Sequence, residues 1–201
     1  ILGFAELLKE PELDGDQQQE YIRIIEKSGT RMLNIINDII DISKIEAGLM
    51  QVQLQEANIN DQLHFVHTFF KPEAQARGIQ LIIKTPLPDS SARLLTDAEK
   101  VYAVFTNLVK NALKYSHSGT IEIGYRVLAE AEPTQLECYV KDDGIGIPAE
   151  RQEAVFERFI QADIDDTMAR QGAGLGLSIS KAYVELLGGK MRLESEENVS
   201  S

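Results

Sequence analysis

Cys138 is the only cysteine in a chain of 201 residues. No internal disulfide can form, and a lone thiol fits a reducing compartment. Basic residues are also scarce, with 20 Lys and Arg against 32 Asp and Glu and a formal net charge of −12. That balance argues against nucleic acid or an anionic membrane surface as the main partner. It leaves room for a small anion held by local dipoles and a metal ion. No apolar run approaches the ~20 residues of a membrane helix, and nothing resembles a signal peptide. Internal repeats and low-complexity tracts are absent. The chain is 43% hydrophobic and 26% charged, which fits a folded domain with or without a small appendage.

The chain has two kinds of segment. ILGFAELLKE opens apolar without a cap, like the end of a helix, and PELDGDQ reads as a turn. From about Gln17 to Ala47, Tyr21, Ile25, Met32, Ile35, Ile39 and Ile42 recur at spacings of three and four. This predicts an antiparallel helical hairpin with more apolar surface than two helices can bury. A second copy completing a four-helix bundle would cover it. After Gly48, strand and helix patterns mix. Strands are expected at 51–55, 79–84, about 119–128, 135–142 and 190–195. Helices are expected at 60–77, from a Thr96–Glu99 capping box to about Tyr115, at 149–157, and from the glycine segment to about Leu187. Without regular βαβ alternation, this predicts an α+β sandwich with helices on one face of a mixed sheet. The expected domains are therefore 1–48 and 49–201.

Three features could carry chemistry. In the 97–115 helix, Val101, Phe105, Leu108 and Ala112 form the expected core face, while Asn107, Asn111 and Lys114 line another at i, i+4 and i+7. An amide oxygen can ligate Mg²⁺ and an ammonium can meet phosphate, although an ordinary solvated face has the same composition. DDGIGIP at 142–148 ends a strand on Asp142, and Gly144 and Gly146 permit a sharp turn and close approach to a flat ligand. A carboxylate there can accept from an exocyclic amine such as that of adenine, but Asp-Gly is also a common turn. QGAGLGL at 171–177 places Gly172, Gly174 and Gly176 ahead of a helix with Leu175, Ile179, Ala182 and Leu186 on one face. Bare N–H groups at a helix N-terminus suit phosphate, and they equally suit a flexible loop. Order and spacing make the three features more specific together than apart.

NLVKNALKYS (107–116) resembles the N box of the GHKL ATPases, the group containing gyrase, mismatch-repair clamps and sensor histidine kinases. DDGIGIP resembles their G1 box, FERF (156–159) with Gln161 the F box, and GAGLGL the G2 box. ILGFAELL and IINDIIDISKIEAG resemble the two helices of the dimerisation and phosphotransfer domain of bacterial sensor histidine kinases. The resemblance implies an ATP-binding kinase core that passes the γ-phosphate to a histidine and on to a response-regulator aspartate. ATP and Mg²⁺ would be its cofactors. Asn111 would coordinate the Mg²⁺ with Asn107 beside it, Lys114 would contact phosphate, and Tyr115 would lie near the nucleotide. Asp142 would bind the adenine amine, and Gly144 and Gly146 would shape that wall. Gly172, Gly174 and Gly176 would face the phosphates at the end of an ATP lid over 158–173.

The resemblance further implies a homodimer through the hairpin, a receiver domain as partner, and the cytoplasmic portion of a membrane-anchored sensor. The family's phosphoacceptor histidine would lie upstream of Ile1, because His64, His67 and His117 match no such position. The chain as given is therefore expected to bind ATP without phosphorylating itself. Ala173 stands where the family usually has a hydroxyl residue. His64 and His67, at i, i+3, read as an ordinary partly exposed pair. Two other readings are an ATP-gated clamp, which needs a water-activating carboxylate in the N-box helix, and a scaffold that keeps the fold without nucleotide.

Overall fold

A computed structural model describes residues 1–10, 13–128, 135–158 and 174–197. The chain divides into two compact units, Ile1–Met50 and Gln51–Ser201. In the first, α1 (Leu2–Leu7) packs on α2 (Gly15–Glu46), with the Phe4 and Tyr21 rings 5.4 Å apart. Asp14 starts α2 two residues before the expected point. Its carboxylate accepts from Gln17 N at 2.7 Å, and the Gln17 side chain accepts from Asp14 N, a reciprocal capping box. A 32-residue helix is about 48 Å long at 1.5 Å per residue, far longer than its six-residue partner. No residue of either helix is buried, and Met32, Leu33, Ile36, Ile39 and Ile40 are all more than two-fifths exposed.

The second unit is built on a three-stranded sheet in the order β2–β4–β5. Its strands are β2 (Ile79–Lys84), β4 (Gly119–Leu128) and β5 (Gln135–Asp142); β2 runs parallel to β4, and β4 antiparallel to β5. A separate antiparallel pair joins β1 (Gln55–Asn58) to β3 (Arg93–Thr96). On α3 (Ile59–Ala76), Leu63, Val66, Phe70 and Ala74 recur at helical spacing and are buried. They meet Ile121, Ile123 and Tyr125, which alternate inward along β4, and the inner face of α4 (Ala98–Tyr115). The result is the expected α+β arrangement, helices packed on a mixed sheet.

Several sequence expectations change. QVQLQ is not a strand over 51–55, because Gln53 N donates to Asp97 Oδ2 at 2.9 Å, so a side chain takes the place of a ladder. Pairing starts at Gln55, opposite the unforeseen β3. Asp97, not Thr96, caps α4 by accepting from Lys100 N. The buried residues of α4 are Phe105, Val109, Ala112 and Leu113, with Val101 and Leu108 only half-buried. The face is broad because α4 packs against both α3 and α5 (Gly176–Leu186). On α5, Ser180 and Tyr183 are buried where Ala182 and Leu186 were expected. The 149–157 helix is two short 3₁₀ turns, Ala149–Arg151 and Ala154–Phe156. Residues 190–195 form no strand. That segment is tied to the 146–152 loop instead, with Ser195 Oγ accepting from Ile147 N and Ser195 O from Gln152 Nε2.

Asp97 is a distinct anchor of this unit. Its side chain is 4% exposed and pairs with Lys100 Nζ at 2.6 Å. Burial pushes its pKa up, but the bonds from the Lys100 side chain and the Gln53 and Lys100 N–H groups outweigh that and hold it below the ordinary value. A depressed folded-state pKa stabilises above the unfolded pKa, and the contribution is lost as pH falls through the folded value. Asp97→Ala removes a helix cap and strands a shielded ammonium. It is expected to lower unfolding free energy by about 2 kcal/mol at neutral pH in denaturant titration. An unchanged midpoint would show that the cap and pair contribute nothing net.

Candidate functional site

The site forms where the end of β5, the Gly144–Gly146 turn and Gly176 at the start of α5 converge on α4. β5 ends at Asp142, which is 9% exposed. Its Oδ1 accepts from Gly144 N at 2.9 Å and from Ser116 Oγ at 3.3 Å. Among the described residues, no hydrogen bond reaches Oδ2. Burial pushes the Asp142 pKa up, the Gly144 and Ser116 bonds pull it partly back, and the Asp143 charge adds to the rise. A buried carboxylate with one oxygen positioned and the other unclaimed is an acceptor awaiting a donor.

The turn after Asp142 is tightly constrained. A Cβ on Gly144 would collide with Asp142 Oδ1 and lie 2.9 Å from Tyr115 O. Gly146 has φ +66°, and a Cβ there would run into the backbone of Glu196. Ile145 N donates to Tyr115 O at 3.3 Å, which ties this wall to the C-terminal end of α4. Ser116, buried and directly bonded to Asp142, was given no role from the sequence. Its place as the last residue of the N-box stretch is the available signal.

Along α4, Lys114 Nζ donates to Tyr115 OH at 2.9 Å and lies 4.7 Å from that ring's centroid. Asn111 is half-buried, and among the described residues its amide has no hydrogen-bond partner. Asn107 is different: its Nδ2 donates to Ser180 Oγ on α5 at 2.9 Å. From Asn107 to Tyr115, α4 rises about 12 Å at 1.5 Å per residue, room for an elongated ligand between Asp142 and α5. Gly174, at φ +69°, leads into α5. Leu175, at the N-cap of α5, makes no side-chain cap bond, whereas α2, α3 and α4 are capped by Asp14, Asn58 and Asp97. Among the described residues, no side chain caps the first N–H groups of α5, which lie at the positive end of the helix dipole. Gly172, Ala173, Gln161 and the expected lid from 159 onward lie outside the described residues.

Among the described residues, no group of three or more His, Cys, Asp or Glu could hold a metal. His67 Nε2 lies 3.2 Å from Leu81 O, so this ring serves the α3–β2 contact. A divalent cation would have to arrive with its own oxygen ligands. One amide oxygen, such as that of Asn111, suits Mg²⁺, which keeps several waters and phosphate oxygens. No helix among the described residues is long and apolar enough to cross a membrane.

This arrangement belongs to a known class. The family model for the histidine kinase-, DNA gyrase B- and HSP90-like ATPases matches residues 96–201, and the chain belongs to that family. The His Kinase A (phospho-acceptor) domain model matches residues 1–48. Within the family, the chain is similar to sensor kinases. It is 38% identical over 198 residues to the sensor protein GacS of Pseudomonas syringae pv. syringae, covering 97% of this chain and 21% of that protein. The full-length ShkA crystal structure, in complex with AMPPNP, superposes with a TM-score of 0.79 at 25% identity, covering 100% of this chain and 40% of that one. Histidine kinase ThkA, solved in complex with the response regulator protein TrrA, gives 0.71 at 25% identity over 98% of this chain and 53% of that one. The chain spans less than a quarter of the length of the curated relatives it matches.

Proposed function

We propose that the chain is the ATP-binding kinase core of a two-component sensor histidine kinase. The γ-phosphate of ATP passes to a histidine and then to an aspartate of a response regulator. Residues 1–48 act as the dimerisation and phosphotransfer hairpin, and residues 49–201 bind the nucleotide. The observation that carries this reading is the buried Asp142 at one end of α4, with Asn111 and the start of α5 toward the other; among the described residues, Asp142 Oδ2, the Asn111 amide and the α5 N-terminus have no side-chain partner.

In this reading Asp142 Oδ2 accepts from the adenine amine, and Gly144 and Gly146 keep side chains off the face where the base lies. Tyr115 borders the nucleotide and steers Lys114 toward phosphate. Gly172, Gly174 and Gly176 leave backbone N–H groups facing the phosphates. Mg²⁺ supplies charge neutralisation at the phosphates, with Asn111 as its protein ligand. The protein's part in phosphoryl transfer is mainly positioning and preorganised charge stabilisation. Because these devices are local, the net charge of −12 is no obstacle.

Homodimerisation through α1 and α2, a receiver domain as partner, and a place on the cytoplasmic side of a membrane-anchored sensor complete the reading. The ThkA–TrrA complex and the His Kinase A match support the dimer and the receiver. A gyrase-like clamp is disfavoured because α4 presents amides at Asn107 and Asn111, and its only acidic residue, Glu99, lies two turns earlier. Steady-state phosphate release separates the two. The kinase core is expected to bind Mg·ATP with no turnover above the protein-free blank. Sustained hydrolysis would favour the clamp.

A further inference from the structure

The two amides of the α4 strip are held differently. Asn107 Nδ2 donates to Ser180 Oγ at 2.9 Å, and Ser180 is 2% exposed. Gly176 lies four residues before Ser180, on the same face of α5. A Cβ at Gly176 would fall on Asn107 Oδ1. One amide therefore bridges two positions of α5, with its donor on a buried hydroxyl and its oxygen against a glycine Cα. The absence of a side chain at position 176 is what allows the two helices to approach so closely. Asn111, one turn along α4, has no such partner among the described residues.

We propose that Asn107 and Ser180 form a latch that fixes the first turn of α5 against α4, making Asn107 a positioning residue rather than a ligand. The latch sets the distance from the α5 N–H groups to Asn111, and so holds the phosphates and their cation in register. Ser180 is the second half of the device and touches no part of the nucleotide. This inference rests on the nucleotide reading given above. It separates from ordinary helix packing because the latch lies at the phosphate end of α4, whereas the base is read by Asp142 at the other.

The test is a double-substitution cycle on the whole chain. Asn107→Ala, Ser180→Ala and the double variant are titrated with Mg·ATP and, separately, with adenosine. Asn107→Ala leaves the buried Ser180 hydroxyl unpaired and Ser180→Ala the half-buried Asn107 amide, an effect worth about tenfold in affinity. Groups that act only through each other are non-additive. All three variants are therefore expected to bind Mg·ATP about tenfold more weakly than the parent and adenosine within twofold of it. Adenosine binding doubles as the check that each variant is folded. Three results overturn the latch: Ser180→Ala binding Mg·ATP within twofold of the parent, a double variant weaker by the product of the single losses, or equal losses for adenosine and Mg·ATP. If the parent binds adenosine and Mg·ATP not at all, the nucleotide reading fails, and the latch with it. Parent binding with an unaffected Ser180→Ala removes the latch alone.

Discussion

Asp142→Asn is expected to weaken adenosine binding about a hundredfold while leaving the chain folded. The carboxylate is nearly buried, with Oδ1 fixed by Gly144 N and Ser116 Oγ. Oδ2 is the atom left for a ligand amine. A charge-assisted bond of this kind contributes about 1.5–3 kcal/mol. The amide variant also turns one end into a donor, so it either faces the amine with another donor or releases the turn at Gly144. Together these effects amount to about 2.7 kcal/mol, a hundredfold. The pH dependence carries a distinctive sign. Burial raises the folded-state pKa of Asp142, so ionisation above that value costs the fold stability, and acidification through it relieves the cost. The same protonation removes the acceptor. Lowering the pH through this range should weaken adenosine binding while slightly raising the Asp142 contribution to stability, and both trends should vanish in Asp142→Asn. Calorimetric titrations and thermal melts across acidic pH measure the two. Undiminished adenosine binding by the variant would remove Asp142 from the site.

Replacing Ile36 and Ile40 with Glu is expected to convert a dimer into a monomer. Leu33, Ile36 and Ile40 follow helical spacing on α2, and Met32 and Ile39 widen the same stripe, all of it exposed within a single chain. A two-fold interface uses each position twice, so two substitutions remove four apolar side chains and introduce four carboxylates. At about 1.5–3 kcal/mol for each buried isoleucine, the loss is at least about 6 kcal/mol, more than a thousandfold in the dimerisation constant. Sedimentation equilibrium should find the parent dimeric and the variant monomeric at micromolar concentrations. Because α1 and α2 form a separate compact unit, adenosine affinity should be unchanged in the variant. A monomeric parent would contradict the bundle outright.

Legibility in the sequence followed the range of the forces involved. Long periodic elements were readable, and α2, α3, β2, α4, β4, β5 and α5 all fall within a few residues of their expected positions. What failed depends on a partner distant in sequence. The strand expected at 51–55 moved because Asp97, 44 residues away, takes the Gln53 N–H. β3 is four residues long and becomes a strand only through its pairing with β1. Residues 190–195 alternate correctly but form no backbone ladder: Arg192 reaches Glu137 of β5 through its side chain, and Ser195 is tied to the 146–152 loop. In the candidate site, the glycines and Asp142 stood out because their spacing is unusual. Ser116 and Ser180 did not, since a small hydroxyl residue has no pattern of its own until the fold brings it to a carboxylate or an amide.

In the proposed function this chain holds a magnesium nucleotide between Asp142 and the N-terminus of α5. Calorimetric titration of Mg·ATP into the purified chain tests it most directly. One saturable site per chain is expected, with affinity that falls when magnesium is chelated. A folded chain that gives no binding heat at several temperatures, and from which Mg·ATP displaces no bound adenosine, would contradict it.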